Sequence, residues 1–345
     1  MTTPARKRRT WSAFGDVRRV PSEYEVMTHK TNWTLREGRK VPFEQNPSSP
    51  ANLWFLTYRE GSPLKVDDWD AFRDPDQMTY RTYVSLQNGE ETKADGLLTQ
   101  YADAGADATL SPEWVGVLAT LFAPARFPLH GAQQVQAYLG HIAPSSYITN
   151  TAAFATADLL RRVTRTAYRT RELQLAHPGS GIGERERQIW ETDAVWQGVR
   201  KAVETALIAY DWGEAFTALN LVLLPTLDDV LLTQFGTVAR ASGDELAWLL
   251  SNLLAADSRR RERWSTALGA FAVAQRPGNA DVLRKWVDRW SARADEAVAA
   301  LAPVLAAAPQ GAPTVDAVLA SAQAARGRVL EAAGLGAQKP AAEAG

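Results

Sequence analysis

Residues 157–169 read ADLLRRVTRTAYR. Asp158, Arg161, Arg162, Arg165 and Arg169 recur at steps of three and four, while Leu159, Leu160, Val163 and Ala167 take the other faces, so a helix with a charged stripe is predicted. A counterpart, Ala256-Asp257-Ser258-Arg259-Arg260-Arg261, follows 99 residues later. Both segments read A-D-x-x-R-R, both fall in the middle of a predicted long helix, and each of those helices follows another long one. Two related helix pairs are the expected architecture.

Such a stripe has two readings. Asp and Arg three or four residues apart form ordinary solvent-facing pairs, worth about 0.2–0.5 kcal/mol each. Alternatively the stripe lines something buried. A bundle of two helix pairs is the architecture of carboxylate-bridged di-iron proteins, in which each pair supplies a glutamate and a Glu-x-x-His motif. Asp-x-x-Arg at the Glu-x-x-His position is a telling substitution: a guanidinium is permanently cationic and has no acceptor atom, so it cannot ligate iron but can replace its charge. The four histidines, His29, His130, His141 and His177, are preceded three residues earlier by Val26, Phe127, Tyr138 and Gln174. No Glu-x-x-His occurs, and the same histidines give no His-x-x-x-His zinc pair. Gly179-Ser180-Gly181-Ile182-Gly183 lacks both the lysine and the preceding strand of a phosphate-binding loop.

The composition is that of a folded protein with a substantial core: 345 residues, 46% of them hydrophobic. A net charge of −1 gives no overall field favouring nucleic acid, and the basic Arg6-Lys7-Arg8-Arg9 cluster reads as a solvated terminal arm. The absence of cysteine excludes disulfides, iron–sulfur ligation and thiolate zinc sites in this chain, and fits a cytoplasmic location. No apolar signal core and no uninterrupted apolar run of about 18 residues is evident, so neither secretion nor membrane spanning is expected.

Three parts are expected along the chain. Residues 1–66 form an extended, proline-broken N-terminal arm whose aromatics must lie across another surface, of this chain or of a partner. Residues 67–302 form an all-α, ferritin-like bundle with helices of about 25–30 residues, against a usual mean of about 11–12. Residues 303–345 form an alanine- and proline-rich extension with one helix, near Thr314–Ala333. Within the bundle, helices are predicted at Gln77–Ala104, from Ser111-Pro112-Glu113 to about Gly140, from Ser145 to about His177, at Glu184–Trp190, and at Ala194–Tyr210 with Val195, Val199, Val203, Leu207 and Tyr210 on one face. Glu214–Arg240 is apolar nearly all round, with Pro225 expected to kink it and Asp228 and Asp229 read as marking where it emerges from the core. Further helices are expected from Asp244 to about Gln275 and from Asn279.

RTWSAF (9–14), VPSEYEV (20–26), SPANLWFLTYREGSPLKVDDWDAFRDPDQMTYRTY (49–83), TADLLRRVTRTAYRTREL (156–173) and AYDWGEAFTALNLVLLP (209–225) resemble the β subunit of the hydroxylase component of bacterial multicomponent di-iron monooxygenases, of the toluene, arene and alkene type. The resemblance implies a ferritin-like fold of the ribonucleotide-reductase kind, related to a catalytic α subunit that alone carries the di-iron centre. The two Asp-x-x-Arg segments, Asp158 with Arg161 and Asp257 with Arg260, then stand where α carries Glu-x-x-His, with Gln136 and Leu223 near the other two glutamate positions. This chain itself is expected to hold no cofactor and no catalytic residue.

The resemblance further implies a dimer of heterotrimers, α2β2γ2, with a small γ subunit. An effector protein, a Rieske ferredoxin and a reductase carrying FAD and an iron–sulfur cluster act on it. NADH supplies electrons, and one atom of dioxygen enters an arene or alkene. In that setting Trp11, Trp33, Trp54 and Trp69 are candidates for the subunit interface, or else pack on this chain's own helices. Two other classes remain: a chain that binds its own metal through Glu and Asp alone, and a free-standing helical scaffold or adaptor without a redox role.

Overall fold

A computed structural model describes residues 22–28 and 50–336. Trp11 and Trp33 lie outside the described residues. Fourteen α-helical segments occur and no strand is present among the described residues. They are α1 (Glu23–Thr28), α2 (Pro50–Phe55), α3 (Tyr80–Asp103), α4 (Pro112–Val117), α5 (Arg126–Ile142), α6 (Ser146–Ala176), α7 (Glu186–Thr192) and α8 (Ala194–Ala206). α9 (Trp212–Phe216), α10 (Leu224–Asp228) and α11 (Phe235–Ala241) follow, then α12 (Glu245–Gln275), α13 (Gly278–Ala306) and α14 (Val315–Ala332).

Local chemistry sets most helix starts. The Thr79 hydroxyl accepts from Thr82 N while the Thr82 hydroxyl accepts from Thr79 N, a reciprocal cap for α3. Ser111 caps α4 with Pro112 in the first turn, and Ser145 caps α6. The helix expected from Ser111 to Gly140 is instead broken: α4 widens into a π-helical turn, tightens into a 3-10 turn around Pro124, and resumes as α5. Pro124 has no N–H to continue an α ladder there. The predicted Ala194–Tyr210 helix ends early, at Ala206, because the Asp211 carboxylate caps the next helix through Gly213 N and Glu214 N. Its buried face is Trp196, Val199, Ala202, Val203 and Ala206.

α9, α10 and α11 are joined by two π-helical turns, Thr217–Leu223 and Asp229–Gln234, into one continuous central helix, Trp212–Ala241. Pro225 falls just past the first of these wide turns, so its missing N–H is absorbed by a change of helical pitch. This helix is long and apolar enough to cross a membrane by length and composition, and 94% of its apolar window is buried inside the bundle. α12, α13 and α14 pack along it, α5 and α8 also touch it, and α6 reaches it through Arg162. The α8–α13 crossing is close: a Cβ on Gly198 would lie 3.0 Å from Ala297 Cα and from Glu296 O.

The described part of the N-terminal segment is spent on this chain's own bundle. Tyr24 is buried against Tyr147, and Leu64, Val66, Trp69 and Phe72 are all buried. Leu64 packs against the turn at Gly213. At the other end, α13 runs through residue 302 to Ala306, and α14 packs on α13, α10 and α12, burying Val318, Ala322 and Val329.

Candidate functional site

The charged stripe of α6 faces inward. Asp158, Arg162, Asp228, Asp257, Arg260 and Arg261 are each no more than 7% exposed, which overturns the solvent-facing reading of the stripe. They fall into two layers on either side of the α6–α12 contact.

The first layer faces α3. Asp158 Oδ1 accepts from Arg260 Nη2 at 2.6 Å, from Tyr83 Oη at 2.8 Å and from Gln87 Nε2 at 2.8 Å. Asp257 Oδ1 accepts from the same Arg260 Nη2 at 2.8 Å and from Gln87 Nε2 at 3.0 Å, and its Oδ2 accepts from Arg161 Nη1 at 2.6 Å. Arg161 continues to Glu91 on α3, which also receives Arg165; Arg165 in turn reaches Asp95 at 2.7 Å. The expected pairing of Asp158 with Arg161 is therefore corrected. Arg161 of α6 and Arg260 of α12 each reach across to the carboxylate of the other helix, and Arg260 also keeps Asp257 on its own helix, so of the two Asp-x-x-Arg segments the second pairs within itself and the first does not.

The second layer faces the central helix. Asp228 receives Arg162 on Oδ1, and on Oδ2 it receives Arg261 Nη2 at 2.8 Å and Ser258 Oγ at 2.8 Å. The sequence reading of Asp228 as the helix's exit from the core is corrected too, since the residue is 5% exposed. The apolar run continues to either side because the second π turn keeps Val230, Leu231 and Leu232 buried as well.

Four guanidiniums, those of Arg161, Arg162, Arg260 and Arg261, thus meet four carboxylates, those of Glu91, Asp158, Asp228 and Asp257. Burial works to raise the Asp228 carboxyl, but Arg261 and Arg162 outweigh it and hold it below the usual carboxylate range. Glu91 is likewise lowered, its two arginines overcoming partial burial. Asp158 differs: burial, together with the neighbouring charge of Asp257, pushes it up to about 6 against the pull of Arg260. Arg260, shared by two carboxylates, is raised despite its burial, chiefly by Asp158.

As chemistry, this is a closed set. Every carboxylate in both layers is engaged by a guanidinium, and among the described residues no group of three or more His, Cys, Asp or Glu is placed to hold a metal ion. The donor set does not fit iron, because the positions beside the carboxylates carry cations without lone pairs. Gln136 on α5 is fully buried, with neither amide atom hydrogen-bonded, and Leu223 is buried in the first π turn.

Of the tryptophans, Trp69 is buried edge-on against Trp212, 4.8 Å between centroids, so its area is used inside this chain. Trp54 is half-buried. It packs on Tyr58 and Tyr210 and donates from Nε1 to Tyr138 Oη at 2.9 Å. Sequence reasoning missed the pairing role of Arg162 and Arg261, although each is the second arginine of its A-D-x-x-R-R segment. Tyr83, Gln87 and Glu91 went unnoticed too, at steps of four on α3; that spacing was the available signal.

The chain as a whole is similar to known proteins. The family model for methane/phenol/alkene hydroxylases matches residues 54–276. The β subunit of the hydroxylase component of the toluene-4-monooxygenase system of Ectopseudomonas mendocina is 40% identical over 297 residues, covering 86% of this chain and 90% of that protein. A solved structure of toluene 4-monooxygenase with toluene bound in its resting active site contains a chain that superposes with a TM-score of 0.79 at 39% identity, over 86% of this chain and 97% of that one. A chain of phenol hydroxylase from Pseudomonas sp. OX1 superposes over 99% of both chains with a TM-score of 0.81; at 19% identity it shows the shared ferritin-like helical fold. The chain belongs to the methane/phenol/alkene hydroxylase family.

Proposed function

We propose that this chain is the non-catalytic β subunit of a multicomponent monooxygenase hydroxylase, and that it holds a di-iron α subunit in a larger cytoplasmic assembly with a small γ subunit. The observation that carries the reading is the 40% identity with a β subunit of this kind over nearly the whole of both chains. The assembly inserts one atom of dioxygen into an arene or alkene. Iron in the partner α subunit supplies the oxygen chemistry, and NADH supplies electrons through a flavin and iron–sulfur reductase and a Rieske ferredoxin, under an effector protein.

The role of this chain's own residues is structural. Asp158 with Arg161, and Asp257 with Arg260, stand at the places where a related catalytic chain carries Glu-x-x-His; the spacing of 99 residues between the two sites supports that correspondence. Cationic side chains there supply internally the positive charge that a metal pair supplies elsewhere, so the bundle stays closed without iron. Trp54, half-buried beside Tyr58 and Tyr210, remains a candidate for contact with a partner subunit.

Co-expression with an α-type subunit carrying two Glu-x-x-His motifs tests the reading. A stable complex is expected, with iron in stoichiometry with α and none with the isolated β chain. A monomer that ignores α would favour a free-standing scaffold, and stoichiometric iron in the isolated chain would favour a metalloprotein; either result sinks the proposal.

A further inference from the structure

The inner face of α6 is spent on the ion pairs, but its outer face is uncovered among the described residues. Ala153, Ala157, Leu160, Thr164, Tyr168, Arg171 and Leu175 are all exposed, with Leu160, Tyr168 and Leu175 at 46%, 53% and 65%. At about 100° per residue the seven fall within roughly 80° of the helix circumference, on the side away from Asp158 and Arg162. They advance by steps of four, three and four up to Thr164, and by four, three and four again beyond it. The stripe therefore has the same spacing in either direction. An 11-residue repeat has about 3.67 residues per turn, close to the 3.6 of a straight helix, so the face holds its direction over a length of about 33 Å.

A face of that symmetry can meet itself, antiparallel, about a two-fold axis through Thr164. Side-chain sizes then match: Leu175 lies against the second copy's Ala153, Arg171 against its Ala157, Tyr168 against its Leu160, and Thr164 against its own counterpart. Charge is compatible as well. Arg171 is the one ionised group on the stripe, its Nη1 donates to Gln174 Oε1 at 2.6 Å, and each copy sets it over an alanine that leaves room for it. The two copies of Arg171 stand about 21 Å apart along the axis, well beyond a screening length of about 8 Å. Seven exposed residues, with half-buried Thr156, Val163 and Ala167 beside them, fall short of the roughly 20–30 residues a side of a standard interface, so the area supports a weak, reversible pair. We propose that the outer face of α6 is a self-association surface, through which two copies of the isolated chain pair antiparallel about Thr164 with micromolar affinity. The proposal stands apart from the reading of this chain as a β subunit.

Sedimentation of the full chain over a concentration series should show a reversible monomer-dimer equilibrium. The sequence has no cysteine, so single cysteines on this exposed face report the pairing geometry without interference. Thr164→Cys, on the axis, should link into a covalent dimer under mild oxidation at least tenfold faster than Ala153→Cys, whose two copies lie about 33 Å apart. Ala157→Arg sets a second cation against Arg171 and should weaken the dimer at least tenfold, whereas Ala157→Glu should tighten it. A chain that stays monomeric up to several hundred micromolar would overturn the proposal. So would equal linking rates at positions 153 and 164, or a dimer indifferent to both Ala157 variants. A monomer whose Thr164→Cys thiol is shielded from alkylation only on adding an α-type subunit would assign the face to that subunit and overturn it too.

Discussion

Arg260 touches Asp158 and Asp257 through the same Nη2, and so it is the one cation shared by two carboxylates that Gln87 Nε2 also bridges. Removing it leaves the buried Asp158 carboxylate with no guanidinium, while Asp257 keeps Arg161; Arg161→Ala, by contrast, leaves Asp257 with Arg260 and Glu91 with Arg165. Arg260→Ala is expected to cost about 3–5 kcal/mol in urea unfolding, and Arg161→Ala clearly less; equal losses would contradict the shared-partner geometry. Adding Asp158→Asn to Arg260→Ala should recover part of the loss. The pH dependence carries its own sign. Asp158 is raised from 3.8 to about 6 in the native state, so between those values the native state binds more protons than the unfolded one. Its contribution therefore weakens stability as pH rises from about 4 to about 6, on the order of a few kcal/mol at most. Asp228 and Glu91, both lowered, act the other way, and their stabilisation is lost only on further acidification. Unfolding measured at several pH values across this window should show a flatter profile for Asp158→Asn; an unchanged profile would mean that Asp158 does not titrate there.

At the level of helices, the same substitution should have opposite signs at two glycines. Gly89 lies inside α3, and a Cβ added to it would find nothing within 4 Å, so Gly89→Ala should stabilise by about 0.5–1 kcal/mol through helix propensity alone. Gly198 lies inside α8, where a Cβ meets backbone atoms of α13 at 3.0 Å, and backbone cannot swing aside as a side-chain tip can. Gly198→Ala should destabilise by about 1–3 kcal/mol despite the better propensity. Thermal midpoints of the two variants decide it, and stabilisation by both would show that the crossing is loose. The contrast also explains what could be read from the sequence. Helix starts at Ser111 and Ser145 were legible because a cap is a local bond between neighbours in the chain. The end of α8 was not, since Val203, Leu207 and Tyr210 continue its apolar period past the turn; the competing Asp211 cap belongs to the next helix. Periodicity placed Asp158 and Asp257 on stripes, but which helix each stripe faces depends on packing. For that reason the crossed pairs and the burial of Asp228 emerge only in three dimensions.

For the molecule as a whole, stability rests on a bundle closed by its own side chains. Proteins whose folding is coupled to metal lose stability when the ion is removed, because binding energy is then part of folding energy. Here the carboxylates that a metal would need are already held by guanidiniums from neighbouring helices, and α14 adds a further apolar face that packs on α10, α12 and α13. Nothing in that arrangement uses a metal ion to hold helices together. Treating the isolated full chain with a strong chelator should accordingly leave its unfolding midpoint unchanged. High salt should also move it little, since the pairs of Asp228 with Arg162 and Arg261 are buried and poorly screened. The proposed complex with an iron-bearing α subunit would provide the contrast: there the chelator should remove iron while the unfolding transition of this chain stays in place. A chelator-dependent drop in the midpoint of the isolated chain would show that the ion pairs do not close the bundle by themselves.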